Sequence, residues 1–421
     1  IIVTASRSGD ATPIDLLGSS ATLIDDQEMQ QQQTRVVSDI LRDVPGIAVS
    51  RLGAVGGLTQ VRIRGAEANQ TLVLIDAIKV SDPYSGEFDV GTLIAEDYAK
   101  FEVLRSQQSS LYGSDAIGGV IDYITLTGAE APGISFRAED GSFGTFSGGA
   151  RVAGVTGNLD YSVTGSYLHT DGYPVAVHGR RDVGSGDLGN LFKLIWTAAP
   201  NLHVTAVGRY NYANAQTDDS DGVFGSPTFG RTIDSPGVHY RNRALYGLVR
   251  AQLDLLDGRF TNAISAQIAD TKRTGYDVPD STSPLDGQPI IPATGDHGRR
   301  IKGSYEGTLR FGTDDIKHRI TVAVDEERES ERTTISLFGA FLGWRHTTNT
   351  GLVGEYDLTV NDRFAFGASV RRDINSRFEN DTTYRVQGSY KFDEGTRIHA
   401  SAGSGVKAPT FLSLDLVEAG V

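Results

Sequence analysis

Oxygen atoms able to hold a metal are densest at Thr217-Asp218-Asp219-Ser220-Asp221-Gly222, with Asp182 and Asp187 before them and Asp234 after. Calcium takes roughly six to eight such oxygens, which makes Asp182, Asp187, Asp219, Asp221 and Asp234 candidate ligands. Their register is not that of an EF-hand loop, and a solvated acidic loop is the competing reading. The 8 histidines are scattered, and cysteine is absent, so thiolate metal sites, thiol nucleophiles and disulfides are excluded. No spacing assembles a nucleophile, a base and a group to orient it, so the chain reads as a non-enzyme with no bound cofactor beyond calcium.

The elements that must position any site fall into two kinds. From residue 1 to about 128 the pattern is α+β. Ser38 to Gly46 reads as a short amphipathic helix stopped by Pro45-Gly46, with Ser38 as its N-cap. Val61-Arg62-Ile63-Arg64 alternates, and Leu72-Val73-Leu74-Ile75 is a continuous apolar run suited to a strand buried on both faces. Arg62 and Arg64 are placed to meet acidic groups such as Glu102 or Asp325.

From 129 to 421 the pattern becomes strands with period-two alternation. Leu159, Tyr161, Val163, Gly165 and Tyr167 interleave with Asp160, Ser162, Thr164 and Ser166, and similar stretches recur around 203–212, 316–325, 363–371 and 384–391. One face suits lipid and the other is polar, which explains a hydrophobic content of only 39% beside 50 glycines in 421 residues. No run of ~18 apolar residues exists, so a helix cannot span a membrane but a barrel can. Tight links at Thr156-Gly157-Asn158 and Asp254 to Gly258 alternate with long ones at 172–189, 218–240 and 274–300, as in outer-membrane barrels. The net charge of -14 argues against a nucleic-acid partner.

Ile2-Val3-Thr4-Ala5, Val37-Ser38-Asp39-Ile40-Leu41 through Pro45-Gly46-Ile47, Ile63-Arg64-Gly65, Leu72 to Asp76, Phe101 to Arg105, Leu111 to Ile121 and Val406-Lys407-Ala408-Pro409-Thr410 together resemble a TonB-dependent outer-membrane receptor. Within that family Tyr167 to Tyr173, the loop from Asp218 to Pro227 and Gly403 to Pro409 are similar to the vitamin B12 (cobalamin) receptors. Ser106-Gln107 stands where the family usually has Gly-Pro, and Ala77 where Gly commonly follows Ile-Asp.

The resemblance implies an α+β plug domain (1–128) followed by a transmembrane antiparallel β-barrel (129–421) in the outer membrane of a Gram-negative bacterium. The barrel would be of the ~22-stranded type with about 13 or 14 strands in this chain, so the C-terminal strands are missing from it. It implies TonB-dependent active transport of a scarce bulky nutrient, cobalamin first, with a ferric siderophore or haem as the alternative and a passive porin as the competing class. Ile1, Ile2, Val3, Thr4 and Ala5 would be the box that adds as a strand to the inner-membrane TonB protein. Calcium would order the outer loops, and outer-membrane lipid would surround the barrel. Two loops resemble the substrate-facing plug apices, with Arg51, Gly53, Ala54, Val55, Gly56 and Leu58 in one and Ser81, Asp82, Tyr84, Ser85 and Gly86 in the other. Their glycines let backbone approach a ligand, Tyr84 offers a ring to stack, and the competing reading is turns packed against a wall.

Overall fold

The structure is a computed structural model that describes residues 2, 6–96, 98–176, 178–222, 224–277, 289–335 and 343–418. Its first part runs β1 (Ser20–Ile24), α1 (Asp26–Gln32), α2 (Val37–Arg42), β2 (Ile47–Arg51), β3 (Thr59–Ile63), β4 (Thr71–Ile75), β5 (Ile78–Lys79), β6 (Ala99–Arg105), α3 (Ser109–Tyr112) and β7 (Gly119–Thr125). Five strands form one sheet in the order β1-β6-β7-β4-β5, and β2 pairs with β3 as a separate hairpin. The apolar run at 72–75 lies in β4, buried throughout and parallel to β7. Phe101 and Tyr123 pack at 4.8 Å between ring centroids in a core shared with Ile40, Leu41, Ile63, Ile75 and Ile121. Leu191, Val207 and Tyr246 of the surrounding wall join that same core.

Helix α1 was not anticipated from its Gln-rich sequence. Its start is nonetheless written locally, because the Asp25 carboxylate accepts from Glu28 N at 2.9 Å, an N-cap that offsets an orphan donor. Helix α2 begins two residues earlier than a Ser38 cap would place it, so Ser38 lies inside it and Val36 is the cap residue. The Ser38 hydroxyl instead accepts from Arg51 Nη2 at 2.7 Å.

The second part is a 13-stranded antiparallel sheet with β8 and β22 at its edges. Its strands are β8 (Gly133–Gly141), β9 (Thr145–Thr156), β10 (Leu159–Tyr173), β11 (Val183–Ala199), β12 (Leu202–Gln216), then β15 (His239–Leu255), β16 (Phe260–Asp277), β17 (Ile291–Gly312), β18 (Ile316–Ile335), β19 (Arg345–Val360), β20 (Phe364–Asn375), β21 (Asp381–Lys391) and β22 (Arg397–Gly403). A small hairpin, β13 (Asp219–Ser220) with β14 (Thr232–Ile233), sits in the connection before β15, and α4 (Phe411–Glu418) follows β22. Alternation holds along the wall: on β10 Leu159, Val163 and Tyr167 are exposed while Ser162, Thr164 and Ser166 are buried against the plug. The buried side is polar, with Arg209, Arg300, Asp325, Glu331 and Arg371 inside, the reverse of a soluble sandwich.

Turns 157–158, 200–201, 256–259, 313–315 and 361–363 share one rim, and connections 174–182 and 217–238 share the other. The connections 278–290 and 336–344 lie mostly outside the described residues. Strands reach further toward that second rim than expected: β11 already begins at Val183, because its polar residues Ser185 and Asp187 face the plug. Neither Arg62 nor Arg64 meets Glu102 or Asp325. Arg62 lies 4.0 Å from Glu67 and donates to Ser50 Oγ and Gln60 Oε1, Arg64 turns off its strand at φ 53°, and Glu102 is met by Lys100 at 3.3 Å.

Candidate functional site

Both glycine-bearing loops reach the rim of the long connections. The β2–β3 loop is tethered at its base, where Arg51 donates to Ser38 Oγ and to Asp39 Oδ1 at 2.8 Å. Leu52 and Gly53 are exposed, Ala54 is buried and Val55 is half-buried. Gly56 takes φ +86° and presses against Ser185 of β11, and Tyr240 Oη donates to its carbonyl. At this point the loop is packed onto the wall. Asp89 fixes its other end by accepting from Thr59 N at 2.8 Å and Gly91 N at 3.0 Å, and burial pushes this carboxyl up to about 6 despite Arg273 nearby.

The second loop is closed by its own backbone, with Asp82 N donating to Glu87 O and Gly86 N to Asp82 O, both at 2.8 Å. Arg300 of β17 grips it from the wall, donating through Nη1 to Ser81 O at 2.9 Å while Nη2 holds Glu329 at 2.6 Å. The Tyr84 carbonyl accepts from Leu412 N at 2.9 Å. Leu58 of the first loop and Asp82, Ser85 and Glu87 of the second line one small pocket of about 40 Å³, so the two apices do come together.

Beside Asp82 and Gly86 opens a cavity of about 510 Å³, walled by the plug at Lys79 and 112–115, by strands β17 to β20, and by the segment 406–410. Several of its charges are paired. Lys79 Nζ lies 2.9 Å from Asp115 Oδ2 and 3.3 Å from Glu327 Oε1, and Lys407 binds the other Asp115 oxygen. Burial alone would raise the Asp115 carboxyl, but the two ammonium groups overcome it and hold it well below the usual carboxylate range. Asp325 accepts from Arg371 Nη1 at 2.9 Å, lies 3.7 Å from Lys302 Nζ, and also takes Nη2 of Arg7. These lining residues were not among the expected site residues. Their signal was charge at inward strand positions, which alternation alone does not distinguish from lumen lining.

At the opposite rim, Ile2 pairs with Thr12 through two hydrogen bonds of 2.9 Å and is buried against Leu17, Leu72, Leu74 and Leu104. The rest of the expected partner segment, Ile1, Val3, Thr4 and Ala5, lies outside the described residues.

The five candidate calcium ligands are not brought together. Asp234 accepts from Arg180 N at 2.9 Å, Asp221 from Ser226 Oγ at 2.6 Å and Thr228 Oγ1 at 2.5 Å, and Asp219 from Ser220 N at 2.7 Å. Asp187 is buried beneath the plug loops with Ser185, while Asp182 is exposed. Among the described residues no three His, Asp or Glu converge as a metal site. Arranged in this way, with the loop aspartates taken up by local donors, these side chains do not fit one shared calcium ion.

Residues 14–120 match the TonB-dependent receptor plug domain. The fold around the plug is also found in solved structures. The siderophore receptor PirA from Acinetobacter baumannii superposes with a TM-score of 0.73 at 17% identity, over 94% of this chain and 62% of that one. The siderophore receptor PiuA from the same organism gives 0.73 at 15% identity, over 96% and 66%. A mutant of the ferric enterobactin receptor PfeA from Pseudomonas aeruginosa, in complex with enterobactin, gives 0.72 at 16% identity, over 93% and 63%. The chain thus spans less than two thirds of the length of these receptors, and with them it shares a plug seated against an antiparallel barrel wall.

Proposed function

We propose that the protein bearing this plug is an outer-membrane receptor that takes up a bulky iron chelate of the siderophore class, energised by an inner-membrane TonB protein that acts on the N-terminal segment. One arrangement carries the reading: plug apices and a 510 Å³ cavity face the rim of long loops, while Thr12, the partner of Ile2, lies toward the rim of short turns. A wall with an exposed apolar outer face and a polar interior suits a bilayer. The plug-domain match supports TonB dependence. The likeness to two siderophore receptors and a ferric enterobactin receptor supports an iron chelate over cobalamin, which becomes the second reading.

The test is calorimetric titration of the full-length protein in detergent with a ferric tris-catecholate, a ferric tris-hydroxamate and cyanocobalamin. Saturable binding of a ferric chelate is expected, and binding of the corrinoid alone would reverse the ligand assignment. Removal of residues 1–5 is expected to abolish uptake by cells while binding persists. Uptake that survives the truncation would overturn TonB dependence.

A further inference from the structure

Two cavities lie one beyond the other between plug and wall. The outer one, of about 510 Å³, is walled by β17 to β20. The same strands, nearer the short-turn rim, join β21 in walling an inner cavity of about 680 Å³, lined on its plug side by residues 10–13 and 16–18. On β20 residues 368–370 part Gly367 of the inner cavity from Arg371 of the outer, about 13 Å of strand at ~3.3 Å per residue. The plate between them is largely polar: the Ser110 and Ser369 hydroxyls meet at 2.7 Å, and Glu355 accepts from Arg7 N at 3.0 Å. Among the described residues the apolar cores of the plug take wall side chains from β11, β12, β15 and β16 and none from β17 to β21. A bulky cargo parts such a polar seam at less cost than a shared apolar core, because water and ligand oxygens replace the bonds that open.

In the inner cavity one plug side chain stands where a ligand group would. The Asp10 carboxylate accepts from Arg310 Nε at 2.9 Å and Nη2 at 2.7 Å, and from Arg319 Nη1 at 3.1 Å. Such a fork suits a carboxylate or another close pair of anionic oxygens. Both arginines are fixed from behind, since Arg310 Nη1 donates to Thr261 Oγ1 at 2.8 Å and Arg319 Nη2 to Asp357 at 2.9 Å. Asp357 offsets Arg319, but among the described residues Arg310 pairs with no carboxylate other than Asp10. Asp10 follows closely on Ile2, at the end of the chain on which the energising partner acts in the uptake reading. Its withdrawal leaves a fixed guanidinium fork short of one counter-charge, in a cavity within the ~300–1,000 Å³ range of ligand sites.

We propose that the inner cavity is a second binding station for the ferric chelate, in which Arg310 and Arg319 take anionic oxygens of the cargo once Asp10 has left them. The proposal rests on the uptake reading and narrows its ligand to an anionic chelate. Asp10 and the cargo compete for one fork, so the return of Asp10 releases what the station holds.

The test is calorimetric titration of the full-length protein in detergent with an anionic ferric tris-catecholate and a neutral ferric tris-hydroxamate. With Asp10 in place the protein should take one equivalent of the catecholate, and Asp10→Ala should take a second. That second site should weaken as salt rises from about 0.1 M to about 1 M, which shortens the screening length from ~10 Å to ~3 Å, and the neutral chelate should not fill it. Adding Arg310→Gln to Asp10→Ala should weaken it about tenfold or more, as the loss of charge-assisted hydrogen bonds does. Adding Arg363→Gln instead, at the same rim but outside the cavity, should leave it unchanged. Should Asp10→Ala fail to assemble, Asp10→Asn, which keeps the shape and removes the charge, supplies the same comparison. A single equivalent in the Asp10 variants, a second site indifferent to Arg310→Gln, or one filled equally by the neutral chelate overturns the proposal. The two readings separate cleanly: one chelate bound by the parent with nothing gained in the variants defeats only the second station, whereas no chelate bound by any of them defeats the uptake reading as well.

Discussion

At the scale of single residues, the plug contains a carboxyl that titrates where most do not. Asp122 on β7 is buried opposite Glu102 in the β6–β7 register, and its Oδ1 has no hydrogen-bond partner. Burial first, then the carboxylates of Asp76 and Glu102, push it up to about 8. Against an unfolded value of ~3.9 the folded plug holds this proton more tightly, so stability falls as pH rises from ~4 to about 8. Hydrogen exchange of β7 amides in the full-length protein should show opening becoming easier between pH 5 and 8, and Asp122→Asn should flatten that slope. An identical slope in the variant would remove Asp122 as its source. Arg300 makes a second prediction. Its fork holds Ser81 O and Glu329 at once, and a lysine cannot reproduce that. Arg300→Ala leaves Glu327 and Glu329 short of a buried cation and should cost roughly 3–5 kcal/mol, seen as faster exchange across 81–87. Exchange unchanged in that loop would show that the wall does not hold it.

At the scale of elements, the first apex loop depends on a close approach that only glycine permits. A Cβ on Gly56 would lie 2.3 Å from Ser185 Cβ, and its φ of +86° is left-handed. Gly56→Ala should therefore lift the loop off β11 and weaken chelate binding, at a backbone cost of about 1–3 kcal/mol. Adding Ser185→Gly should restore only the steric part, so the double mutant should bind between wild type and Gly56→Ala. A double mutant no better than the single one would place the fault in the backbone alone. What the sequence made legible at this scale was periodic: β10, β12 and β18 alternate as read, and the 72–75 run is the buried β4. What it hid was set by tertiary context. Ser38 looked like a cap but lies inside α2 because Arg51 occupies its hydroxyl, and α1 escaped notice because its one buried apolar residue, Met29, gives no helical stripe. The acidic loop at 217–222 could be read as a solvated loop or as calcium ligands because spacing cannot show that Ser226, Thr228 and Arg181 already serve its carboxylates.

At the scale of the whole molecule, one carboxylate links the two rims. Asp325 lines the outer cavity, where Arg371 and Lys302 hold it, and it also takes the guanidinium of Arg7, which stands just after the N-terminal segment. Arg7 is further tied by its own N–H to Glu355 Oε2 at 3.0 Å and by Nη1 to Leu111 O at 3.2 Å. A ligand that draws Arg371 or Lys302 toward itself changes the charge balance at Asp325, and with it the hold on Arg7. The N-terminal segment should therefore be released more readily when Asp325 loses its charge. With no native cysteine in the chain, Ser6→Cys provides a single reporter at a buried position. Maleimide labelling of that reporter should accelerate in Asp325→Asn by roughly tenfold or more, since breaking a buried ion pair typically costs several kcal/mol. Asp325→Glu, which keeps the charge, should label near the parent rate. Equal rates in all three proteins would mean that the segment is held by Glu355 and by the burial of Ile2 instead, and that Asp325 serves the cavity alone.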